Sequence, residues 1–154
     1  MFNIIFVCLG NICRSPMAEF IMKDLIAQNN LNNKINVSSA GTSGYHDGED
    51  AHYKTKEILK NKNILVKNFC SKKLNEKMCQ ENNLIIVMDN SNLKNTIKMF
   101  PAYKDKIKKL TDYVVNLDYD EVPDPWYSGD FDETYLILSN ACANLLTCIK
   151  SQHI

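Results

Sequence analysis

Residues 7–16 of this chain read Val7-Cys8-Leu9-Gly10-Asn11-Ile12-Cys13-Arg14-Ser15-Pro16. The apolar run at residues 2–7 is typical of a strand that is buried on both faces of a sheet. After the quoted stretch, apolar residues recur every three or four positions, which predicts a helix with Ser15 as N-cap and Pro16 as first residue. The stretch between Cys8 and Arg14 is therefore expected to be a short loop that joins a strand to a helix.

This loop has the composition of an anion site with a nucleophile at its base. Backbone N–H groups of a loop that enters a helix point at one spot, and the helix dipole adds positive charge there. Gly10 and Asn11 suit the unusual backbone conformations of such a loop. A thiol in this field ionises readily, so Cys8 is the candidate nucleophile. Arg14 offers two parallel donors to phosphate oxygens, and Ser15 is placed to donate a hydrogen bond to the thiolate.

Composition limits the other classes of function. The chain has 154 residues, enough for one domain, and a net charge of zero, which gives no basic surface for nucleic acid. No segment has the length of a membrane span and no secretory signal is evident, so we expect a cytoplasmic protein without a membrane partner. The six cysteines lack the paired spacing of zinc sites, so no metal and no cofactor is expected. Arg14 is the only arginine, and it lies where a phosphate ligand is needed.

The spacing of Cys8 and Arg14, followed by Ser15 and Pro16 after a first strand, resembles the low-molecular-weight protein tyrosine phosphatase family. The resemblance implies that one loop binds the substrate phosphate, with the residues Leu9, Gly10, Asn11, Ile12, Cys13, Arg14 and Ser15.

A second match is the segment Ser39-Ala40-Gly41-Thr42, which is similar to the Ser-Ala-Gly-Thr segment of that family. The resemblance implies that Ser39 binds Asn11 and supports the loop, and that Tyr45 lines an aromatic wall of the cleft. The alternative is that Ser39 ends a strand and Tyr45 is an ordinary loop residue. A similar Met-Asp-x-x-Asn-Leu run begins at residue 88, where Asp89 either supports the loop by hydrogen bonds or simply caps a helix.

The third match is Pro123-Asp124-Pro125-Trp126-Tyr127. The flanking prolines restrict the backbone, so a rigid segment presents one carboxylate. The resemblance implies that Asp124 protonates the leaving group and that Trp126 and Tyr127 line the cleft. Taken alone, the segment is more typical of a Pro-rich turn with a solvated carboxylate, and the catalytic interpretation is favoured only beside the first two matches.

Two segments depart from the family. The usual Asp-Pro-Arg that opens a helix in that family is replaced by Asp50-Ala51-His52. Residues 68–73 lack the histidine and the Ala-Arg pair of many members, and Lys72 or Lys73 is the candidate replacement for that arginine.

The remaining periodicities complete a fold prediction. Further strands are expected at residues 35–39, 84–89 and 107–110. Further helices are expected at residues 51–62, 92–100 and 131–150, with irregular structure at 112–120. Strands that alternate with helices indicate one α/β domain over residues 1–154, with a four-stranded parallel sheet, helices on both faces and the phosphate-binding loop after strand 1.

The expected reaction is a two-step phosphoryl transfer through a phosphocysteine at Cys8, with Arg14 as phosphate ligand and Asp124 as general acid and then base. Because Asp124 starts protonated, an acidic optimum is predicted. The expected substrates are phosphotyrosine proteins or small aryl phosphates, and the oligomeric state stays open. The family also implies a reversible disulfide between Cys8 and Cys13, with simple packing of Cys13 as the alternative.

Four other functions fit part of the pattern. An arsenate reductase needs a cysteine pair beyond the third strand, where this chain has Met88 and Asp89. A phosphocysteine carrier needs no pair of Arg14 and Asp124. A non-catalytic phosphotyrosine-binding module is expected to lack Cys8 or Asp124. A thiol redox protein is disfavoured by the spacing of Cys8 and Cys13.

Overall fold

A four-stranded sheet lies at the centre of the computed structural model, which describes residues 1–154. All neighbouring strands are parallel, in the order β2-β1-β3-β4. The strands are β1 (Phe2–Cys8), β2 (Ile35–Gly41), β3 (Leu84–Val87) and β4 (Ile107–Lys109). This confirms the predicted number and direction of the strands.

Helices cover both faces of the sheet, as predicted. They are α1 (Arg14–Gln28), α2 (Tyr53–Asn61), α3 (Glu76–Glu81), α4 (Asn90–Met99), α5 (Pro125–Ser128) and α6 (Phe131–His153), with 3-10 helices at Pro101–Lys106 and Leu110–Tyr113. None of these helices is both long enough and apolar enough to cross a membrane.

The central strand β1 divides the core into two parts. Ile4 and Phe6 point into the larger cluster, which α1 and α6 complete. Ile5 and Val7 point into a smaller cluster on the opposite face. Successive side chains of a strand face opposite sides, so a continuous apolar run is the pattern that fits a strand covered on both sides.

Two local predictions are wrong. The helix α1 begins at Arg14, and Ser15 is not its N-cap, because no side chain caps this end. The helix α2 begins at Tyr53 rather than at residue 51, and His52 caps it by accepting from the backbone N–H of Lys54 at 3.1 Å. Of the segment Asp50-Ala51-His52, only His52 takes part in opening the helix, as its N-cap.

Other boundaries move by a few residues. The strand β2 extends to Gly41, β3 ends at Val87, and α4 begins at Asn90. The short helices α3 and α5 were not predicted, because pieces of six and four residues show too little periodicity.

The end of β2 supports the loop that follows β1. The Thr42 and Ser43 backbone N–H groups donate to the carbonyl oxygens of Cys8 and Leu9, each at 2.9 Å. A Cβ atom at Gly41 would lie 2.7 Å from the Leu9 carbonyl oxygen, so only glycine allows this close approach. The loop is thereby fixed at the carboxyl edge of the sheet.

Candidate active site

Asn11 holds the loop in its curved conformation. Its φ of 56° is left-handed, a conformation that asparagine tolerates better than most residues. Its side-chain amide donates to Ser15 Oγ at 2.8 Å and to Ser39 Oγ at 2.9 Å. Its Oδ1 accepts from the Lys72 backbone N–H at 3.0 Å, and its carbonyl oxygen accepts from Ser71 Oγ at 2.6 Å. The side-chain amide, Oδ1 and the backbone carbonyl oxygen of the buried Asn11 are therefore all hydrogen-bonded.

A second layer holds Ser39 in place. Ser39 Oγ donates to Glu19 Oε1 at 2.6 Å, and the other oxygen of Glu19 pairs with Lys23. Glu19 is a helix residue that is almost fully buried. A buried carboxylate with both oxygens engaged is satisfied, and it fixes the hydroxyl on which the Asn11 amide rests.

Cys8 lies at the base of the loop, where β1 ends. Its Sγ is 3.0 Å from Ser15 Oγ. Because that oxygen accepts from Asn11, its own proton goes either to Cys8 or to the Ala40 carbonyl oxygen, 3.3 Å away. An ionised sulfur can only accept, so the Ser15 hydroxyl donates to the thiolate form.

Arg14 is held by carbonyl and carboxylate oxygens from two other segments of the chain. Its Nη1 donates to Asp89 Oδ2 and to the Val122 carbonyl oxygen, both at 2.8 Å, and its Nη2 lies 3.4 Å from Asp124 Oδ2. The side chain is only 2% exposed. Burial alone would lower the pKa of this guanidinium, but the negative charges of Cys8, Asp124 and Asp89 outweigh burial and raise the pKa further.

Asp124 reaches the cleft from the start of α5. Its Oδ1 accepts from the Trp126 backbone N–H at 3.0 Å, which leaves Oδ2 directed toward Arg14. The preceding Val122 N–H donates to the Met88 carbonyl oxygen at 2.9 Å, beside the end of β3. The segment is thus attached both to the sheet and to Arg14, and its carboxylate is presented on a fixed backbone.

Cys13 is a second buried thiol of the loop. Burial raises its pKa to about 12, with a further rise from the charges of Cys8 and Asp124 that Arg14 opposes. Cys13 therefore stays protonated at neutral pH.

These groups surround one cleft of about 320 Å³. It is lined by Cys8, Leu9, Gly10, Ile12, Cys13, Arg14, Ser43, Tyr45, His46, Asp124, Trp126 and Tyr127. Tyr45 and Tyr127 are 84% and 78% exposed, so they form the rim rather than the base. Nearly all of the predicted substrate-binding residues meet here, and Asn11, Ser15, Ser39 and Asp89 lie behind the lining.

His46 is a lining residue that the sequence did not single out. Its ring lies 4.8 Å from that of Tyr45 and 5.9 Å from that of Trp126, and its Nδ1 is 2.9 Å from Glu49 Oε2. A Cβ atom at Gly10 would lie 2.9 Å from His46 Cδ2. Gly10 thus makes room for the His46 ring, whereas we expected it to adopt an unusual backbone conformation, which the structure does not show.

Ser71 and Glu19 were also missed. A serine in a loop and a glutamate in a helix are ordinary residues, and only the tertiary contacts reveal their use. The side chains of Lys72 and Lys73 are exposed and do not line the cleft, so neither takes the place of the missing arginine there. Lys72 contributes only its backbone N–H, to Asn11.

Comparison with known proteins gives consistent results. The family model described as "Low molecular weight phosphotyrosine protein phosphatase" matches residues 3–153. The low molecular weight protein-tyrosine-phosphatase YfkJ of Bacillus subtilis is 39% identical over 154 residues, which cover 99% of this chain and 98% of YfkJ. The crystal structure of YfkJ superposes with a TM-score of 0.97 over 100% of this chain and 98% of that one.

Two further solved structures are informative. The solution structure of the low molecular weight protein tyrosine phosphatase from Campylobacter jejuni is 58% identical, with a TM-score of 0.80 over 100% of this chain and 99% of that one. A Drosophila arginine phosphatase is 28% identical, with a TM-score of 0.88 over 97% of this chain and 98% of that one. From the loop, the cleft and these matches, we conclude that the chain belongs to the low molecular weight protein-tyrosine-phosphatase family.

Proposed function

We propose that Cys8, Arg14 and Asp124 carry the phosphatase reaction and that its substrate is phosphotyrosine. In the first step the Cys8 thiolate forms a bond to phosphorus, and the bond from phosphorus to the phenolic oxygen breaks. Asp124 gives its proton to that oxygen, so the leaving group departs as a neutral phenol. The product on the enzyme is a phosphocysteine.

In the second step Asp124 acts as a general base instead of a general acid. The carboxylate takes a proton from water while the water oxygen bonds to phosphorus, and the sulfur–phosphorus bond breaks. Inorganic phosphate leaves, and Cys8 returns to its thiolate form. The attachment of Asp124 at the start of α5 supports both steps, because one oxygen is committed to the Trp126 N–H and the other faces the cleft.

The position of Arg14 is the observation that carries this proposal. One nitrogen is anchored by Asp89 and by the Val122 carbonyl oxygen, while the other faces Asp124 beside the cleft. Backbone N–H groups of the loop and this guanidinium would together bind the equatorial oxygens during transfer. Such donors act without reorganisation, because the fold has already oriented them.

An aryl phosphate fits the walls of the cleft. Tyr45, Trp126 and Tyr127 present rings at its mouth, and aromatic rings pack well against a phenyl group. A phenol is also a better leaving group than the alcohol of serine. A phosphoarginine substrate, suggested by the Drosophila relative, would place a polar guanidine against the apolar side chains of Leu9 and Ile12.

Kinetics with para-nitrophenyl phosphate, without added metal, tests the assignment. Cys8→Ser should abolish turnover, and Asp124→Ala should reduce kcat about 10²- to 10⁴-fold, the range for general acid catalysis. Competition among peptides with phosphotyrosine, phosphoserine and phosphoarginine then determines the substrate class. Full activity of Cys8→Ser would disprove the phosphocysteine step, and a preference for phosphoarginine would replace the tyrosine assignment.

We place the protein in the cytoplasm as part of the same proposal. A catalytic thiol needs reducing surroundings to remain a thiol, and the cytoplasm supplies them. Its partners are phosphoproteins or small phosphates, of which phosphotyrosine proteins and aryl phosphates are the proposed subset.

A further inference from the structure

Trp126, which lines the cleft, has two histidine rings near its indole. The ring of His46 is 5.9 Å from the indole on the cleft side, tilted by 55°. The ring of His52, which does not line the cleft, is 5.8 Å from the indole and nearly perpendicular to it, at 85°. The indole therefore has an edge-to-face contact with a ring outside the cleft lining, a favourable geometry for aromatic pairs.

His52 is itself held on several sides. Its ring stacks on Phe131 at 5.0 Å and on Tyr53 at 4.8 Å. Its backbone N–H donates to the Ile12 carbonyl oxygen of the phosphate-binding loop at 2.8 Å. Burial, and after it the charge of Lys54, lowers the pKa of the imidazole, so the ring is neutral at neutral pH. The ring thus joins the start of α2 and the start of α6 to the wall of the cleft.

We propose that His52 is a positioning residue that fixes the plane of Trp126 and thereby sets the affinity of the cleft for an aromatic ring. This inference rests on the proposed function, in which the substrate's ring lies against Trp126. The His52 side chain does not line the cleft, and its only contact with the phosphate-binding loop is through its backbone N–H, which a substitution retains. Replacing the ring should therefore affect how the aryl group binds and leave phosphoryl chemistry unchanged.

Substitution can separate the two functions of His52, which are to cap α2 and to contact Trp126 through its ring. Asparagine at this position keeps a good N-cap but removes the ring, whereas phenylalanine keeps a ring but removes the cap. His52→Asn and His52→Phe are therefore matched variants, each of which loses what the other retains. His52→Phe serves as the rescue control for stacking, and its thermal midpoint should fall by a few degrees from loss of the cap.

Phenylphosphonate, a non-hydrolysable aryl phosphate analogue, and inorganic phosphate are the two probes. Calorimetric titration of His52→Asn should show about two- to tenfold weaker binding of phenylphosphonate, the range for one aromatic contact, and unchanged binding of phosphate. KM for para-nitrophenyl phosphate should rise by the same factor while kcat stays within about twofold. Because Trp126 is the only tryptophan, a shift in its emission spectrum reports the indole directly.

Different results would overturn the positioning of Trp126 by His52 and the proposed function. If His52→Asn keeps the wild-type affinity for phenylphosphonate and the wild-type emission spectrum, the inference is overturned. It is also overturned if His52→Phe binds phenylphosphonate as weakly as His52→Asn, because the ring would then not be what sets the affinity. Equal binding of both probes by the wild type would also overturn it. If the wild type binds phenylphosphonate more tightly than phosphate but hydrolyses no aryl phosphate, the proposed function fails and the positioning of Trp126 by His52 still stands.

Discussion

Asp89 joins two parts of the fold to Arg14 through a single carboxylate. Its Oδ2 accepts from Arg14 Nη1 at 2.8 Å, and its Oδ1 accepts from the Asn92 backbone N–H at 2.7 Å, where α4 begins. Support of the loop and capping of a helix were alternatives from the sequence. The structure contains both contacts, because the two oxygens of a carboxylate can serve different donors.

Asp89→Asn separates these two contacts. Asparagine is as good a cap as aspartate but carries no charge, so α4 should keep its start while Arg14 loses its ion pair. We expect kcat/KM to fall about ten- to a hundredfold, since hydrogen bonds to charged groups contribute about 1.5–3 kcal/mol. Asp89→Ala is the control and should be less stable than Asp89→Asn by about 1 kcal/mol. Wild-type kcat/KM in Asp89→Asn would contradict this view of Arg14.

The left-handed backbone at Asn11 predicts an unusual order of stability. Asn11→Gly and Asn11→Ala lose the same side-chain hydrogen bonds, but alanine resists a φ of 56°. Asn11→Ala should be less stable than Asn11→Gly by about 1 kcal/mol, although glycine is normally the more destabilising residue. Urea denaturation measures the difference. Equal or greater stability of Asn11→Ala would mean that the loop relaxes out of this conformation.

Peroxide should produce a disulfide between Cys8 and Cys13. The Cys8 thiolate takes an oxygen from peroxide and becomes a sulfenic acid, and the Cys13 thiol then displaces that oxygen as water. Intact-mass analysis should show the loss of two hydrogens, reversed by dithiothreitol, with recovery of activity. In Cys13→Ser the same treatment should give irreversible higher oxides of Cys8. Irreversible oxidation in the wild type would leave Cys13 with a packing function only.

Stability should decline in alkaline solution because of buried thiols. Burial raises the pKa of Cys13 from 9.0 to about 12 and raises that of the fully buried Cys142 as well. A raised pKa means that the folded state holds its proton more tightly. The stabilisation that each protonated thiol gives the folded state is complete below pH 9, the pKa in the unfolded chain. It is lost as the pH rises from there toward the pKa of the folded state, by at most about 1.4 kcal/mol per pH unit for each thiol.

The matched variant for that prediction is Cys142→Ala. The cavity left by the missing Sγ should lower the free energy of unfolding at every pH. Above pH 9, however, the free energy of unfolding should fall less steeply with pH than in the wild type. Urea denaturation at a series of pH values gives the slope directly. Parallel curves for the two proteins would show that Cys142 does not contribute to the alkaline loss.

The sequence was sufficient for those parts of the molecule that local pattern determines. The buried run of β1, the long helix α6 and the loop between Cys8 and Arg14 each carry their signal in consecutive residues. The rigid segment around Asp124 was likewise visible, because two prolines restrict a backbone wherever they occur.

The contacts that were missed depend on packing between distant segments. Glu19 reads as a solvent-exposed helix residue, and only the position of Ser39 makes it a buried partner. His52 reads as part of a helix, and only the approach of Phe131 and Trp126 makes it an aromatic support. Ser15 was assigned a capping function because its hydroxyl can cap a helix, whereas in the fold the hydroxyl faces Cys8.

The attachment of Asn11 to Ser39, Ser71 and Lys72 has a consequence for the time at which the enzyme becomes reactive. These partners are synthesised well after Cys8. In a nascent chain that stops before residue 72, the phosphate-binding loop therefore lacks the hydrogen bonds that hold Asn11. Until then Cys8 lies in a chain that has not yet built the phosphate site around it. Assembly of the active site therefore waits until Ser39, Ser71 and Lys72 have been synthesised, although its nucleophile is the eighth residue of the chain.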